Sequence, residues 1–135
     1  MSNAVVVGAD PDERSLLRGL LRLHHHQVVA EGVGPEVLSS LDAPGGIDLL
    51  VLDEDAAGGA WKELVQNATR LRPALRVVLI TPNETRDLLR EARASGISAV
   101  LQRPFHLEQF IQALDRPLDR SGAYRTDPGR RTPPT

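Results

Sequence analysis

The chain has 135 residues, enough for one domain with its own hydrophobic core and too few for a second folded unit. Its 16 basic and 18 acidic residues give a net charge of −2, so charge offers no reason to expect a nucleic-acid partner. The absence of cysteine excludes disulfides, thiol nucleophiles and thiolate metal sites. We identify no signal peptide and no apolar stretch of membrane-spanning length, and we expect a cytoplasmic protein without membrane contact.

Strand and helix patterns alternate five times over residues 1–117. A first strand is predicted at residues 5–7. Asp10 then has the features of a helix N-cap, with Pro11 at the first helical position and Glu13 placed to close a capping box. The apolar face of this helix consists of Leu16, Leu17, Leu20, Leu21 and Leu23. The helix is predicted to end at the histidines 24–26, before a short second strand at residues 28–30.

A second helix is predicted over residues 35–41. The third strand is the unbroken apolar run 47–53, which is typical of a parallel strand buried on both faces and ends in the carboxylate of Asp53. A flexible acidic loop, 54–59, and a helix with Trp61 and Leu71 on its inner face follow. Strands at 77–80 and 99–102 and helices at 83–95 and 106–116 complete the domain; Leu107 and Phe110 are expected to be buried in the last helix. Residues 118–135 are predicted to be a disordered Arg/Pro/Gly-rich tail.

This alternation predicts an α/β fold with a (βα)5 doubly wound parallel five-stranded sheet in the flavodoxin-like order 2-1-3-4-5. Strands 1 and 3 then flank the switch point, where such sheets bind ligands at the carboxyl ends of their strands. Gly8, Ala9 and Asp10 would face Asp53 across this crevice. Strands 4 and 5 would bring the hydroxyl of Thr81 and the guanidinium of Arg103 to the same edge.

Over residues 4–116 the chain resembles the response-regulator receiver domains of two-component signalling. The resemblance is carried by Leu52-Asp53, by Ile80-Thr81, by residues 94–99, and by Arg103-Pro104-Phe105. It implies that Asp53 matches the aspartate phosphorylated by a histidine kinase, and that Thr81 matches the hydroxyl that moves onto the phosphoryl group. Arg103 stands where the family keeps a lysine. The resemblance also implies Mg²⁺, held by Asp53, by an acidic pair ending strand 1, and by the backbone carbonyl of Asp55.

The acidic pair of the family is missing, since Gly8 and Ala9 occupy its positions. Mg²⁺ prefers carboxylate oxygens in a near-ideal octahedron, so we expect binding weaker than millimolar, if any. Asp10 either shifts to help hold the metal or serves only as a helix cap.

Arg103 has two open roles, a standing ion pair with unmodified Asp53 or a side chain that extends to solvent. The family's aromatic switch position aligns with Val100, which cannot report phosphorylation by changing rotamer. We also predict a cis peptide bond at Arg103–Pro104.

Other candidate sites have a simpler interpretation. The histidines 24–26 could bind Zn²⁺ or Ni²⁺, but consecutive residues point in different directions, which favours a surface cluster. His106 is interpreted as a cap or an exposed residue. We find no hydrolase signature and no glycine-rich loop with nucleotide-binding spacing, so we expect that the chain is not an enzyme.

Three functions remain open. The first is an atypical single-domain receiver that acts through protein contacts, with weak or no Mg²⁺-dependent phosphorylation of Asp53. The second is a conventional receiver phosphorylated there by a histidine kinase, and the third is a small flavodoxin-like ligand binder. With no output domain predicted, the signal would pass to a histidine kinase or other signalling protein, or through a homodimer. The face that the resemblance suggests, formed by helix 83–95, strand 5 and helix 106–116, carries mixed charges that either pair across a two-fold axis or are simply solvated: Arg86, Asp87, Arg90, Glu91 and Arg93.

Overall fold

The computed structural model describes residues 2–34, 36, 46–56 and 60–115. Of the predicted helix over 35–41 only residue 36 is described, and the tail 118–135 lies outside the described residues. In chain order the elements are β1 (Ser2–Val7), α1 (Pro11–Leu23), β2 (His26–Gly32), β3 (Leu49–Asp53), α2 (Trp61–Leu71), β4 (Arg76–Thr81), α3 (Arg86–Ser95), β5 (Ala99–Gln102) and α4 (Leu107–Asp115). None of the described helices is long and apolar enough to cross a membrane.

The five strands form one parallel sheet in the order β2-β1-β3-β4-β5, which confirms the predicted fold class and strand order. The register pairs Val7 with Leu52, Asp53 with Ile80, and Thr81 with Gln102. Because parallel strands place their carboxyl ends at one edge, this register brings the ends of β1, β3, β4 and β5 together.

Hydrophobic clusters fill both faces of the sheet. Leu50 and Leu52 of β3 face the cluster that includes α2 and α3, whereas Leu49 and Val51 face the cluster that includes α1 and α4. All five residues of β3 are buried. A strand covered on both faces needs apolar side chains at every position, which explains the unbroken run that leads to Asp53.

Two elements, β1 and α3, begin at other residues than the sequence predicts, and hydrogen bonds explain both differences. β1 begins at Ser2, not at residue 5, because Ser2 and Asn3 pair with β2 and the Asn3 amide donates to the Asp48 carboxylate at 2.9 Å. α3 begins at Arg86 because the Thr85 hydroxyl accepts a hydrogen bond from the Leu88 amide at 3.0 Å, as an N-cap does. The histidines divide between the end of α1 and the start of β2.

The predicted apolar faces of the helices are too wide. Leu17, Leu20 and Leu21 are buried in α1, but Leu16 and Leu23 are 51% and 73% exposed. At 3.6 residues per turn these two leucines lie roughly 90–110° around the helix from the centre of the buried stripe. Leu71, at the end of α2, and Leu107, at the start of α4, are also exposed, so the prediction that Leu107 is buried is wrong.

Two glycines in different backbone conformations allow a matched test of how an added side chain changes the free energy of unfolding. Gly96 ends α3 in the left-handed region with φ 95°. We expect Gly96→Ala to lower the free energy of unfolding by about 1 kcal/mol, because a side chain disfavours that conformation. Gly19 lies inside α1 with no atom within 4 Å of an added Cβ. Gly19→Ala should instead raise the free energy of unfolding by about 0.5–1 kcal/mol. Urea unfolding measures both, and equal effects would contradict the assignment of Gly96.

Candidate functional site

Asp53 lies at the carboxyl end of β3 with only 6% of its surface exposed. Its Oδ1 accepts a hydrogen bond from the backbone amide of Asp55 at 3.1 Å. Gly8, at the end of β1, lies beside it, and a Cβ added to Gly8 would be 3.7 Å from the Asp53 Cβ. The predicted switch point therefore brings Gly8 and Asp53 together, while Ala9 and Asp10 are exposed.

Arg103 forms an ion pair with Asp53, which is one of the two roles that the sequence left open for it. Its Nη2 donates to Oδ2 of Asp53 at 2.8 Å, and its Nη1 lies 3.4 Å from Oδ1. The solvent-directed alternative for this side chain is therefore wrong. The Arg103 backbone amide donates to the Thr81 carbonyl at 2.9 Å, which fixes the start of the loop after β5. The Arg103–Pro104 peptide bond is cis, as predicted.

Glu13 completes a triad that the sequence analysis missed. Its carboxylate accepts hydrogen bonds from Arg103, at 2.9 Å from Nε to Oε2 and at 2.5 Å from Nη2 to Oε1. The predicted capping box assigned this carboxylate to the start of α1, and the structure directs it to Arg103 instead. The only available signal was that α1 begins at the crevice, so its first-turn carboxylates lie near any cation there.

The electrostatics of the triad follow from its geometry. The pKa of the Arg103 guanidinium is raised above its usual value, first by hydrogen bonding to Glu13 and then by the hydrogen bond and charge of Asp53, against the opposing effect of burial. Arg103 therefore stays charged, and its single guanidinium is shared by two carboxylates.

Thr81 ends β4 and is fully buried. Its hydroxyl donates to the carboxylate of Glu54, a residue that the sequence analysis had placed only in a flexible loop. The backbone amide of Asn83 donates to the same hydroxyl at 3.1 Å. The Thr81 side chain thus lies at the predicted edge of the sheet, with its hydroxyl engaged by Glu54 and the following turn.

The geometry of Asp10 is that of a helix cap, since its Oδ1 accepts from the Asp12 amide at 2.9 Å. Among the described residues, no group of three or more His, Asp or Glu side chains could hold a metal ion. Asp53 is already paired with Arg103, and Gly8 and Ala9 offer no side-chain ligand. These residues do not fit the octahedral oxygen shell that Mg²⁺ requires. Val100, at the family's aromatic position, is 2% exposed and packs in the core.

Comparison with known sequences identifies a distant relative, although no family model matches the chain. The DNA-binding transcriptional regulator NtrC of Azospirillum brasilense is 26% identical over 121 residues, which cover 88% of this chain and 25% of that protein. The chain therefore spans about a quarter of the length of this relative.

Solved structures give the same result. A CheY-like receiver domain from Methanospirillum hungatei superposes with a TM-score of 0.74 at 15% identity, over 84% of this chain and 90% of that one. A response regulator from Burkholderia pseudomallei, with a phosphorylated aspartic acid and a calcium ion, gives 0.74 at 18% identity, over 85% and 67% of the two chains. The chain has the fold of response-regulator receiver domains, as the resemblance implied.

Proposed function

We propose that the chain is a receiver-like protein of phosphorelay signalling that acts through protein contacts, with weak or no Mg²⁺-dependent phosphorylation of Asp53. One observation carries the proposal: the Asp53 carboxylate is paired with Arg103, while the neighbouring positions 8 and 9 supply no carboxylate. An internal cation that also pairs with Glu13 thus contacts the residue that matches the family's phosphoacceptor.

Two effects oppose a divalent ion in this crevice. Mg²⁺ gives up its waters reluctantly and needs several oxygen ligands, and Asp53 alone cannot supply them. In addition, the Arg103 guanidinium, 2.8 Å from Oδ2, occupies a position at the carboxylate that a metal ion would otherwise take. Asp10 and the carbonyl of Asp55 are the remaining candidates for ligands, and Asp10 would first have to leave its capping bond.

A conventional phosphorylated switch is the second candidate, and the retained Asp53 and Thr81 favour it. A phosphoryl group transferred to Asp53 would find hydrogen-bond donors in Arg103, in the Asp55 amide and in the Thr81 hydroxyl. The hydroxyl would first have to leave the Glu54 carboxylate to which it now donates. In this second version of the function, these residues would bind and orient the phosphoryl group.

We propose a histidine kinase or another cytoplasmic signalling protein as the partner, and no enzymatic activity for the chain itself. A homodimer through α3, β5 and α4 would use the mixed charges of α3. In that face Arg90 pairs with Asp87 at 3.2 Å, and Glu91 pairs with Lys62 of α2 at 3.3 Å. These exposed pairs within one chain support the alternative of a solvated face.

A Mg²⁺ titration followed by amide NMR tests the proposal. We expect shifts around Asp53 and Asp10 that do not saturate below about 1 mM, because the carboxylate ligands are missing. Gly8→Asp combined with Ala9→Asp is the matched variant, and it should bind the ion more tightly. Saturation of the unmodified chain at micromolar Mg²⁺ would contradict the proposal.

A further inference from the structure

We infer that Glu13 is a positioning residue that holds Arg103 in the crevice independently of Asp53. The inference rests on the proposed function, because it concerns the cation that faces the proposed acceptor residue. It assigns a role in the site to a side chain of α1 that matches none of the residues through which the chain resembles receiver domains.

Glu13 contacts the guanidinium more completely than Asp53 does. Both oxygens of Glu13 accept from Arg103, at 2.9 Å from Nε and 2.5 Å from Nη2, a side-on bidentate arrangement that matches the rigid fork of the guanidinium. Asp53 has one contact of 2.8 Å and a second, weaker one of 3.4 Å. Glu13 therefore fixes the plane of the guanidinium, and Asp53 accepts from the Nη1 and Nη2 groups on its other side.

Partial burial strengthens the contact between Glu13 and the Arg103 side chain. The side chains of Glu13 and Arg103 are 20% and 27% exposed, so their attraction is screened less than that of a surface pair. Glu13 lies in the first turn of α1, whose start is fixed by the Asp10 cap. Glu13 is also the largest single cause of the raised pKa of Arg103.

This arrangement has a consequence for the site. If Glu13 holds Arg103, the guanidinium keeps its place when residue 53 loses its negative charge. Arg103 is then a fixed cation of the crevice and not a side chain that follows the chemical state of Asp53. The carboxylate of Glu13 also takes up two donor groups of Arg103 that a phosphoryl group would otherwise meet.

The test follows the Nε–H group of Arg103 by ¹⁵N NMR, with the resonance assigned by its loss in Arg103→Lys. In the unmodified chain we expect this proton to exchange with water at least about tenfold more slowly than that of the exposed Arg86, because it is hydrogen-bonded to a carboxylate. Asp53→Asn should preserve the slow exchange to within about twofold, since it leaves the Glu13 bonds in place. Glu13→Ala should bring the rate close to that of Arg86, because it removes the acceptor of the Nε–H group.

Asp12→Asn is the matched control, because it removes one exposed carboxylate from the same helical turn. It should leave the exchange of Arg103 unchanged. Fast exchange in Asp53→Asn would overturn the inference, and so would slow exchange in a folded Glu13→Ala. The Asp53→Asn result stands by itself if Glu13→Ala fails to fold. Neither Mg²⁺ nor a phosphodonor is present, so failure of this inference is separate from failure of the proposed function.

Discussion

Gly8→Asp combined with Ala9→Asp is expected to turn a protein that acetyl phosphate labels slowly or not at all into one that takes up a phosphoryl group at Asp53 in Mg²⁺. Attack by a carboxylate on a phosphodonor needs nearby positive charge that stabilises the negative oxygens of the transferring phosphoryl group. Carboxylates at positions 8 and 9, where the resemblance places the family's acidic pair, would supply the side-chain metal ligands that those positions now lack. Phosphoryl incorporation measured by intact mass against time reports the gain.

The structure has room for this substitution. A Cβ at Gly8 would meet its nearest atoms, Asp53 Cβ and Arg14 Cγ, at 3.7 and 3.9 Å, which are ordinary contacts, and Gly8 is not in the left-handed region. Ala9 is exposed. A lack of labelling in this variant, if it folds, could therefore not be attributed to a clash of the added Cβ at position 8.

The chain with Gly8→Asp and Ala9→Asp is called the repaired chain. Asp53→Asn in the repaired chain is the control and must abolish phosphoryl incorporation. Adding Arg103→Lys should recover any response that depends on the family's lysine. If the repaired chain folds and still takes no label, the missing ligands are not the cause. The loop after Asp53 or the shape of the pocket would then have diverged from phosphoryl chemistry as well.

Arg103→Gln is expected to lower the free energy of unfolding by about 2 kcal/mol, between the values typical of surface pairs and of fully buried pairs. The reason is that Asp53, with 8% of its side chain exposed, and Glu13, with 20%, would both lose their cation. Removing one of those charges with Asp53→Asn should recover part of the loss, because less unpaired charge then remains buried.

Arg90→Gln provides the matched control, because Arg90 pairs with Asp87 on the exposed surface of α3, where the two side chains are 65% and 82% exposed. Arg90→Gln should change the free energy of unfolding by no more than about 0.5 kcal/mol. Urea unfolding of the three variants and the parent gives the comparison. Equal effects of Arg103→Gln and Arg90→Gln would show that the triad contributes no more than a surface pair.

Much of the fold was predictable because it depends on local chemistry. The buried run before Asp53 indicated a parallel strand, Asp10 and Pro11 indicated the start of α1, and Gly96 indicated the end of α3. The exposure of Leu107 was not predictable in this way, since a hydrophobic pattern does not show how much of a helix face the sheet covers.

The site was predictable only in part. Strand order alone places Asp53, Thr81 and Arg103 at one edge of the sheet, because the ends of parallel strands converge. The partners of these residues depend on side-chain contacts between distant parts of the chain. Glu13 is 90 residues from Arg103, and no local pattern distinguishes a carboxylate that caps its own helix from one that binds a cation across the crevice. The contact between Glu54 and Thr81 is of the same kind.

The intact mass of the unmodified chain after incubation with acetyl phosphate and Mg²⁺, with Asp53→Asn as the blank, separates the two candidate functions. An aspartate held by Arg103 in a crevice that lacks the family's acidic pair should remain largely unlabelled over a period in which the repaired chain becomes labelled. Rapid, stoichiometric labelling at Asp53 would contradict the atypical function and establish the chain as a conventional phosphorylated switch.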